Sequence, residues 1–299
     1  MIENMNMIYF IAFLAPFFYA LSVLIESFLS LDVFKKPATM CFYVSLTNAL
    51  FVPLLFCFGV PTLPHLECFG IYFLLAILDI AYLYPFYIAL KKTDTSIVSA
   101  LFTIGKVFIP IISFIFLKDV LTFQQYIGFA IIIFASLFLN MKQGMSLKIN
   151  KAFYLMALSS LLLSCRVILA KTALISDTTW INTMFYPNLI SGALIFTFLM
   201  FKRLRPDIYN HFDNYKKNIK LFILIEFVTF LAVLSSVYAL SKLSPTISSA
   251  IEATEPLFLI GFAMVARHLC SYQFQELNVS WFKKIICFIL IVVGVICIS

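Results

Sequence analysis

Seven ionisable side chains interrupt stretches that are otherwise apolar: Asp79, Lys106, Arg166, Lys171, Glu226, Glu252 and Glu255. A charge at the centre of a bilayer costs roughly 2.5 to 3.5 kcal/mol on insertion scales, so such groups face a cavity or one another. Four acids and three bases could hold the charged groups of a small molecule or carry protons. Ser248, Glu252 and Glu255 stand at i, i+4 and i+7 on one helix face, with Pro256 beside them to loosen the backbone. Two acids on one face repel, which suits a proton carrier or a cation site. Pairing with Arg166 or Lys171 is the alternative. Asp79 and Lys106 fall at similar depth on consecutive antiparallel helices, where an ion pair would lock the two together. A Lys106 facing the cavity instead binds a carboxylate or phosphate. Glu26 lies closer to a span end and reaches the interface.

These groups need elements to hold them. With 63% hydrophobic residues, 12% charged residues and a mean hydropathy of +1.04, a chain of 299 residues lacks the polar surface of a soluble protein. Stretches of roughly 20 apolar residues cross about 30 Å of hydrocarbon. Ten are predicted, near 8–30, 38–60, 68–90, 95–117, 121–141, 152–175, 180–201, 219–241, 245–267 and 281–298. The short alternating segments of a barrel are missing, so the fold class is all-α, a polytopic membrane protein with ten transmembrane helices. Glu3, with no Lys or Arg, precedes the first stretch, which is therefore read as a mature helix and not a secretory signal. The seven cysteines show no metal-ligand spacing and act as small apolar residues.

Ala89, Leu90, Lys92, Ile97, Ser99 and Ala100 recur 150 residues later as Ala239, Leu240, Lys242, Ile247, Ser249 and Ala250. A half-length repeat in so apolar a chain predicts two related bundles around a central site. Loop Lys and Arg residues fall 16 on one side and two on the other, which puts both termini outside the cytoplasm. Each half has an odd number of spans, and equivalent loops carry opposite charge character, so the repeats are inverted. The units are 1–141 and 152–299, joined by a cytoplasmic linker at 142–151. Arg205–Lys220 is the longest polar connection, a surface helix or a solvated loop. By the repeat, Ser99, Thr103 and Lys106 face the same region as Ser249, Ala253 and Pro256. Tyr19, Tyr82 and Tyr238 are candidates to stack a planar substrate. With eight glycines, close glycine packing is not expected to organise the bundle.

The run Lys118-Asp119-Val120-Leu121-Thr122-Phe123-Gln124-Gln125-Tyr126-Ile127-Gly128 precedes an aliphatic span. It resembles the end of the repeat in EamA-type members of the drug/metabolite transporter superfamily, and the likeness extends to the whole chain as two five-helix units. The family's proline thirteen residues before the acid matches Pro256 in the second half; the first half has Lys106 there. The second half shows His268 and Leu269 in place of the acidic turn. Members are often described with cytoplasmic termini, against the charge count. The resemblance implies that the first, third, fourth, sixth, eighth and ninth helices surround a cavity, with Asn48 and Asn188 on the second and seventh either gating it or bonding a neighbouring helix.

The expected function is secondary active transport of a small polar or amphiphilic metabolite, such as an amino acid, nucleoside derivative or vitamin, across the cytoplasmic (inner) membrane by alternating access. Coupling to protons or exchange is a hypothesis attached to Glu252, Glu255 or Asp79. The candidate site residues are Asp79, Lys106, Arg166, Glu226, Glu252, Glu255, Tyr82, Tyr238, Ser99 and Ser249. No catalytic residue, cofactor or metal is expected. The partners are the metabolite, the lipid bilayer and, in the coupled case, protons; no nucleic acid is expected, because the basic residues form no single stripe. The assembly is a monomer or homodimer. A polytopic enzyme is the rival, disfavoured because His65, His211 and His268 stand in loops without a motif; so is a receptor, which needs no inverted repeat.

Overall fold

Backbone N–H and C=O groups in hydrocarbon must bond within their own segment, and the described residues form helices without strands. The computed structural model describes residues 2–28, 34, 36–91, 102–103, 105–140, 151–177, 179–269 and 281–298. The first helices are α1 (Ile2–Phe28), α2 (Pro37–Ala49), α3 (Leu66–Ala81), α4 (Leu83–Leu90), α5 (Phe108–Leu117) and α6 (Phe123–Asn140). Then follow α7 (Lys151–Ser176), α8 (Asn182–Leu194), α9 (Arg205–Asn210), α10 (Phe212–Lys217), α11 (Ile219–Lys242), α12 (Pro245–Glu252), α13 (Glu255–Leu269) and α14 (Trp281–Ile298). Short 3-10 turns at Val52–Cys57 and Ile195–Met200 extend α2 and α8.

Among the described residues, six helical stretches are long and apolar enough to cross a membrane: Met5–Glu26, Pro37–Cys57, Leu66–Leu90, Phe153–Ser176, Asn182–Met200 and Ile219–Lys242. They coincide with the predicted first, second, third, sixth, seventh and eighth spans. Phe108–Leu117 and Phe123–Phe138 are shorter apolar helices. Much of the predicted fourth span and of the 142–151 linker lies outside the described residues.

Chemistry legible in the sequence sets the start of α6. Thr122 and Gln125 form a capping box, the Thr122 N–H donating to Gln125 Oε1 (3.1 Å) and the Gln125 N–H to Thr122 Oγ1 (3.3 Å). Ahead of it Lys118 closes α5 in the left-handed region (φ 55°), and Asp119 accepts from Ser113 (3.0 Å) and from Thr246 of α12 (3.4 Å). The acidic turn therefore ties the first half of the chain to the second.

Three helices break where they meet the interior. The α3–α4 step falls at Tyr82, ahead of Pro85; a second break at 105–107 precedes Pro110; and α12 gives way to α13 at Ala253–Thr254, ahead of Pro256. Proline lacks an N–H and crowds the preceding turn, so it interrupts the ladder. At each break a serine from another helix donates to a local carbonyl: Ser159 to Tyr82 (2.9 Å), Ser164 to Gly105 (3.2 Å) and Ser136 to Ala253 (2.5 Å). Such bonds are what makes a broken helix tolerable in hydrocarbon. Gly105 is required at its break, because a Cβ there would lie 2.0 Å from the Ser160 Cβ on α7.

In the packing, α1 runs along α11, α3 and α4 run along α7, α6 lies against α14, and α2 against α8. Ser22 and Thr229 bond across the α1–α11 seam at 2.6 Å. At the α6–α14 crossing, Gly128 and Gly294 face each other so closely that a Cβ on Gly128 would come within 2.6 Å of the Gly294 carbonyl oxygen. Few as they are, glycines set the approach at this one crossing. Within Arg205–Lys220 the chain forms α9 and α10, with Ile208 and Tyr215 buried. The solvated loop that the polar composition suggested is replaced by an amphipathic segment docked on the bundle.

Candidate functional site

The helix breaks deliver their neighbouring side chains to one cavity of about 220 Å³. Asp79 and Tyr82 come from the first break, Thr103 and Lys106 from the second, and Glu252, Ala253, Glu255 and Pro256 from the third. Arg166 of α7, Glu226 of α11 and Tyr19 of α1 complete the polar wall, while Phe86, Phe102 and Phe230 supply aromatic surface. Asn48 and Asn188 both line the cavity.

The ion pairing differs from the expected one. Asp79 bonds Arg166, through its Oδ1 and the guanidinium Nε, and not Lys106. Arg166 stands on α7, which packs along α3, whereas α5, the helix after Lys106, packs on α7 and α12; similar depth in the sequence does not reveal that difference. Lys106 is 8% exposed, and its side chain forms no hydrogen bond or ion pair with a described residue; Glu255 lies within its electrostatic reach. Glu252 accepts a hydrogen bond from Ser236, and Glu226 accepts one from the Asn48 amide at 3.2 Å.

Several expected positions stand elsewhere. Lys171 leaves the cavity and donates to the carbonyls of Leu240 (2.8 Å) and Leu243 (2.9 Å), closing the C-terminal end of α11, so neither Glu252 nor Glu255 has it as a partner. Its side chain reaches a helix end that carries unsatisfied carbonyls. Tyr238 packs edge-on against Trp180 at 5.6 Å and does not line the cavity. Ser249 is buried and donates to its own helix at Thr246 (2.9 Å). Ser248, placed with Glu252 and Glu255 by helical spacing, is buried and does not line the cavity, and the two acids do not share one helix face, because α12 ends at Glu252 and α13 begins at Glu255. Ser99 lies outside the described residues. In the other direction, Glu26 does not reach the interface; it lines the cavity and accepts from the Tyr87 hydroxyl.

The two ends of the bundle carry matching aromatic pairs. At one end Tyr43 of α2 stacks on Tyr215 of α10, centroids 4.4 Å apart and planes 13° apart. The Tyr43 hydroxyl donates to the Ile208 carbonyl (2.7 Å), Thr47 and Tyr215 bond at 3.0 Å, and Lys36 pairs with Asp207. Lys91, just beyond α4, donates to the Phe34 carbonyl at 2.8 Å, and burial pulls its ammonium down to about 8. At the other end Tyr72 of α3 stacks on Tyr186 of α8 (5.5 Å, 21°). There the Tyr72 hydroxyl donates to Asp177, the Asn182 amide donates to Asp177 and Thr62 (both 3.0 Å), and Tyr186 donates to the Thr62 carbonyl (2.9 Å). Tyr43 and Tyr186 are 143 residues apart, as are Tyr72 and Tyr215. The cavity opens along α2 beyond Tyr43 and along α3 beyond Tyr72, so it lies between the two stacks.

Residues 6–141 match the model of the EamA-like transporter family. No curated protein matches the chain. A solved structure described only as the crystal structure of a protein aligns with 99% of this chain and 97% of its own, with a TM-score of 0.67 at 11% identity. At that identity the likeness is one of fold.

Proposed function

Because residues 6–141 of this multi-pass membrane chain match the EamA-like transporter family, we propose that it is a secondary transporter moving a small polar or amphiphilic metabolite across the cytoplasmic membrane by alternating access. The observation that carries this reading is the gathering of Glu26, Asp79, Lys106, Arg166, Glu226, Glu252 and Glu255 around one cavity. Charges placed at such depth are costly, and a bundle that only needed to fold would pair or exclude them.

The architecture read here is ten spans in two inverted five-helix units. Its support is reciprocal packing: α1 on α11 answers α7 on α3 and α4, while α6 with α14 and α2 with α8 are their own counterparts. The equal spacing of the tyrosine pairs fits the same two-fold relation. Each pair joins one half of the chain to the other, and we assign them as the two gates, the Tyr43–Tyr215 end facing the cytoplasm by its basic loops. Proton coupling falls to Glu252 and Glu255, which flank the α12–α13 break.

Reconstituted in liposomes, the chain is expected to exchange a labelled metabolite, and Glu255→Gln to flatten the pH dependence of that exchange while leaving the protein folded. Absence of flux for every member of a panel of amino acids, nucleosides and vitamins, from protein that is folded, overturns the transporter reading. Flux with an unchanged pH profile removes Glu255 from the coupling.

A further inference from the structure

The charge around the cavity is not balanced. Five carboxylates line it against two cations. Asp79 is taken by Arg166, and Glu255 lies in the field of Lys106. Glu26, Glu226 and Glu252 each accept a bond from a neutral donor, Tyr87, Asn48 and Ser236, and none has a cation in contact among the described residues. Glu26 and Glu226 line the same cavity from α1 and α11, which pack along each other. Two like charges in a low-dielectric site call for an opposite charge between them. The Tyr82 and Phe86 rings in the same wall can stack on an ammonium or guanidinium.

A second, independent feature points to a ligand of mixed charge. The Lys106 ammonium is 8% exposed, lines the cavity and has no hydrogen-bond acceptor among the described residues. Glu255 offsets part of its charge without bonding it, so the ammonium N–H donors remain open to an anionic oxygen of a ligand.

We infer that the cavity takes a small metabolite of net positive charge, its amine or guanidinium seated between Glu26 and Glu226 and its acidic group at Lys106. This rests on the transporter reading of the same cavity. The ligand class selected is the cationic amino acids and compounds of the same charge pattern, against neutral zwitterions and anions.

Isosteric probes isolate each charge, with affinity read from thermal stabilisation of the full chain. L-lysine is compared with L-norleucine, which lacks the terminal ammonium, and with cadaverine, which lacks the carboxylate; L-arginine is compared with L-citrulline. The expected result is at least about tenfold tighter binding of lysine than norleucine and of arginine than citrulline, with cadaverine between. Glu26→Gln or Glu226→Gln brings lysine down to norleucine, and Lys106→Gln makes lysine and cadaverine alike. The charge-preserving Glu26→Asp keeps the lysine preference. Norleucine or citrulline binding as tightly as its charged partner, or no cationic probe stabilising the protein, overturns the inference. If lysine stabilises the protein but is never exchanged across liposomes, the transporter reading fails and the ligand class stands. If neutral metabolites are exchanged and lysine gives no shift, the ligand class fails and the transporter reading stands.

Discussion

At the basic end of the molecule a tyrosine stack is backed by large aromatic side chains beside its hydrogen bonds to Ile208 and Thr47, whereas at the opposite end its counterpart is backed by smaller side chains and by a carboxylate, an amide and a threonine. Tyr43 and Tyr215 pack with Phe34 and Phe222, both fully buried, and with Ile208. Opening that end exposes large apolar side chains, each worth about 1.5–3 kcal/mol when fully buried. Tyr72 and Tyr186 pack among smaller side chains, Cys68, Leu75, Ala170 and Ala173, and are held as well through Asp177, Asn182 and Thr62. Those hydrogen bonds exchange for bonds to water when the end opens, at about 0.5–1.5 kcal/mol each. The same ring geometry thus makes a stiff closure at one end and a soft one at the other. In the absence of ligand, the account expects the Tyr72–Tyr186 end to open more readily.

The largest expected effect comes from removing a ring at the stiff end. Tyr215→Ala loses the stack on Tyr43, the edge contact with Phe222 at 5.0 Å and the bond to Thr47. Stability should fall by about 3–5 kcal/mol, as for other buried aromatic truncations. A cysteine placed at Ser45, which lines the cavity, should then react faster with a thiol reagent applied to the basic side. Equal reactivity before and after would deny that this stack is a closure.

A smaller effect is expected at the soft end. Asp177→Ala removes the acceptor of the Tyr72 hydroxyl and one of the two acceptors of the Asn182 amide, which keeps Thr62, and water reaches the freed donors when the end opens. A loss of about 1 kcal/mol is expected, with reactivity at Ser45→Cys rising from the opposite side only. If Asp177→Ala destabilised the protein as much as Tyr215→Ala, the contrast between the ends would be lost.

The smallest effect is a pH dependence at the basic end. The Lys91 ammonium, pulled by burial to about 8 from an ordinary value of 10.5, binds fewer protons folded than unfolded between those values. Stability should therefore rise as pH increases from about 8 to 10.5, the unfavourable burial of the charge being felt below that window. Thermal midpoints for the wild type and Lys91→Gln, compared across the window, check the sign: the wild type gains on the variant as the pH is raised.

The positions of the interior charges were legible because each stands alone in an apolar stretch, where its cost marks it. Their partners were not. In a helix apolar on every side, no periodicity tells which face looks inward, so Lys171 and Tyr238 read like Arg166 and Tyr82 although they turn away. Glu26 looked peripheral from its place near a span end, but α1 continues to Phe28 and Tyr87 reaches it from α4. The break between Glu252 and Glu255 was half legible: Pro256 announced it, while the parting of the two acids onto separate helices followed only from where α12 ends. The tyrosine pairs went unread because their spacing of 143 differs from the repeat's 150, so an alignment that matches Ala89 to Ala239 slides past them. Their signal was the coincidence of two equal separations.

The central claim is that the two stacks are alternate closures of one cavity. In a background without native cysteines, Tyr43→Cys with Tyr215→Cys places one reactive pair at the basic end, and Tyr72→Cys with Tyr186→Cys places one at the other. Bridging either pair with a short bis-thiol reagent is predicted to stop exchange in liposomes while leaving the cavity reachable only from the unbridged side, and cleaving the bridge to restore exchange. Exchange that continues at its unbridged rate with either end locked would contradict the account.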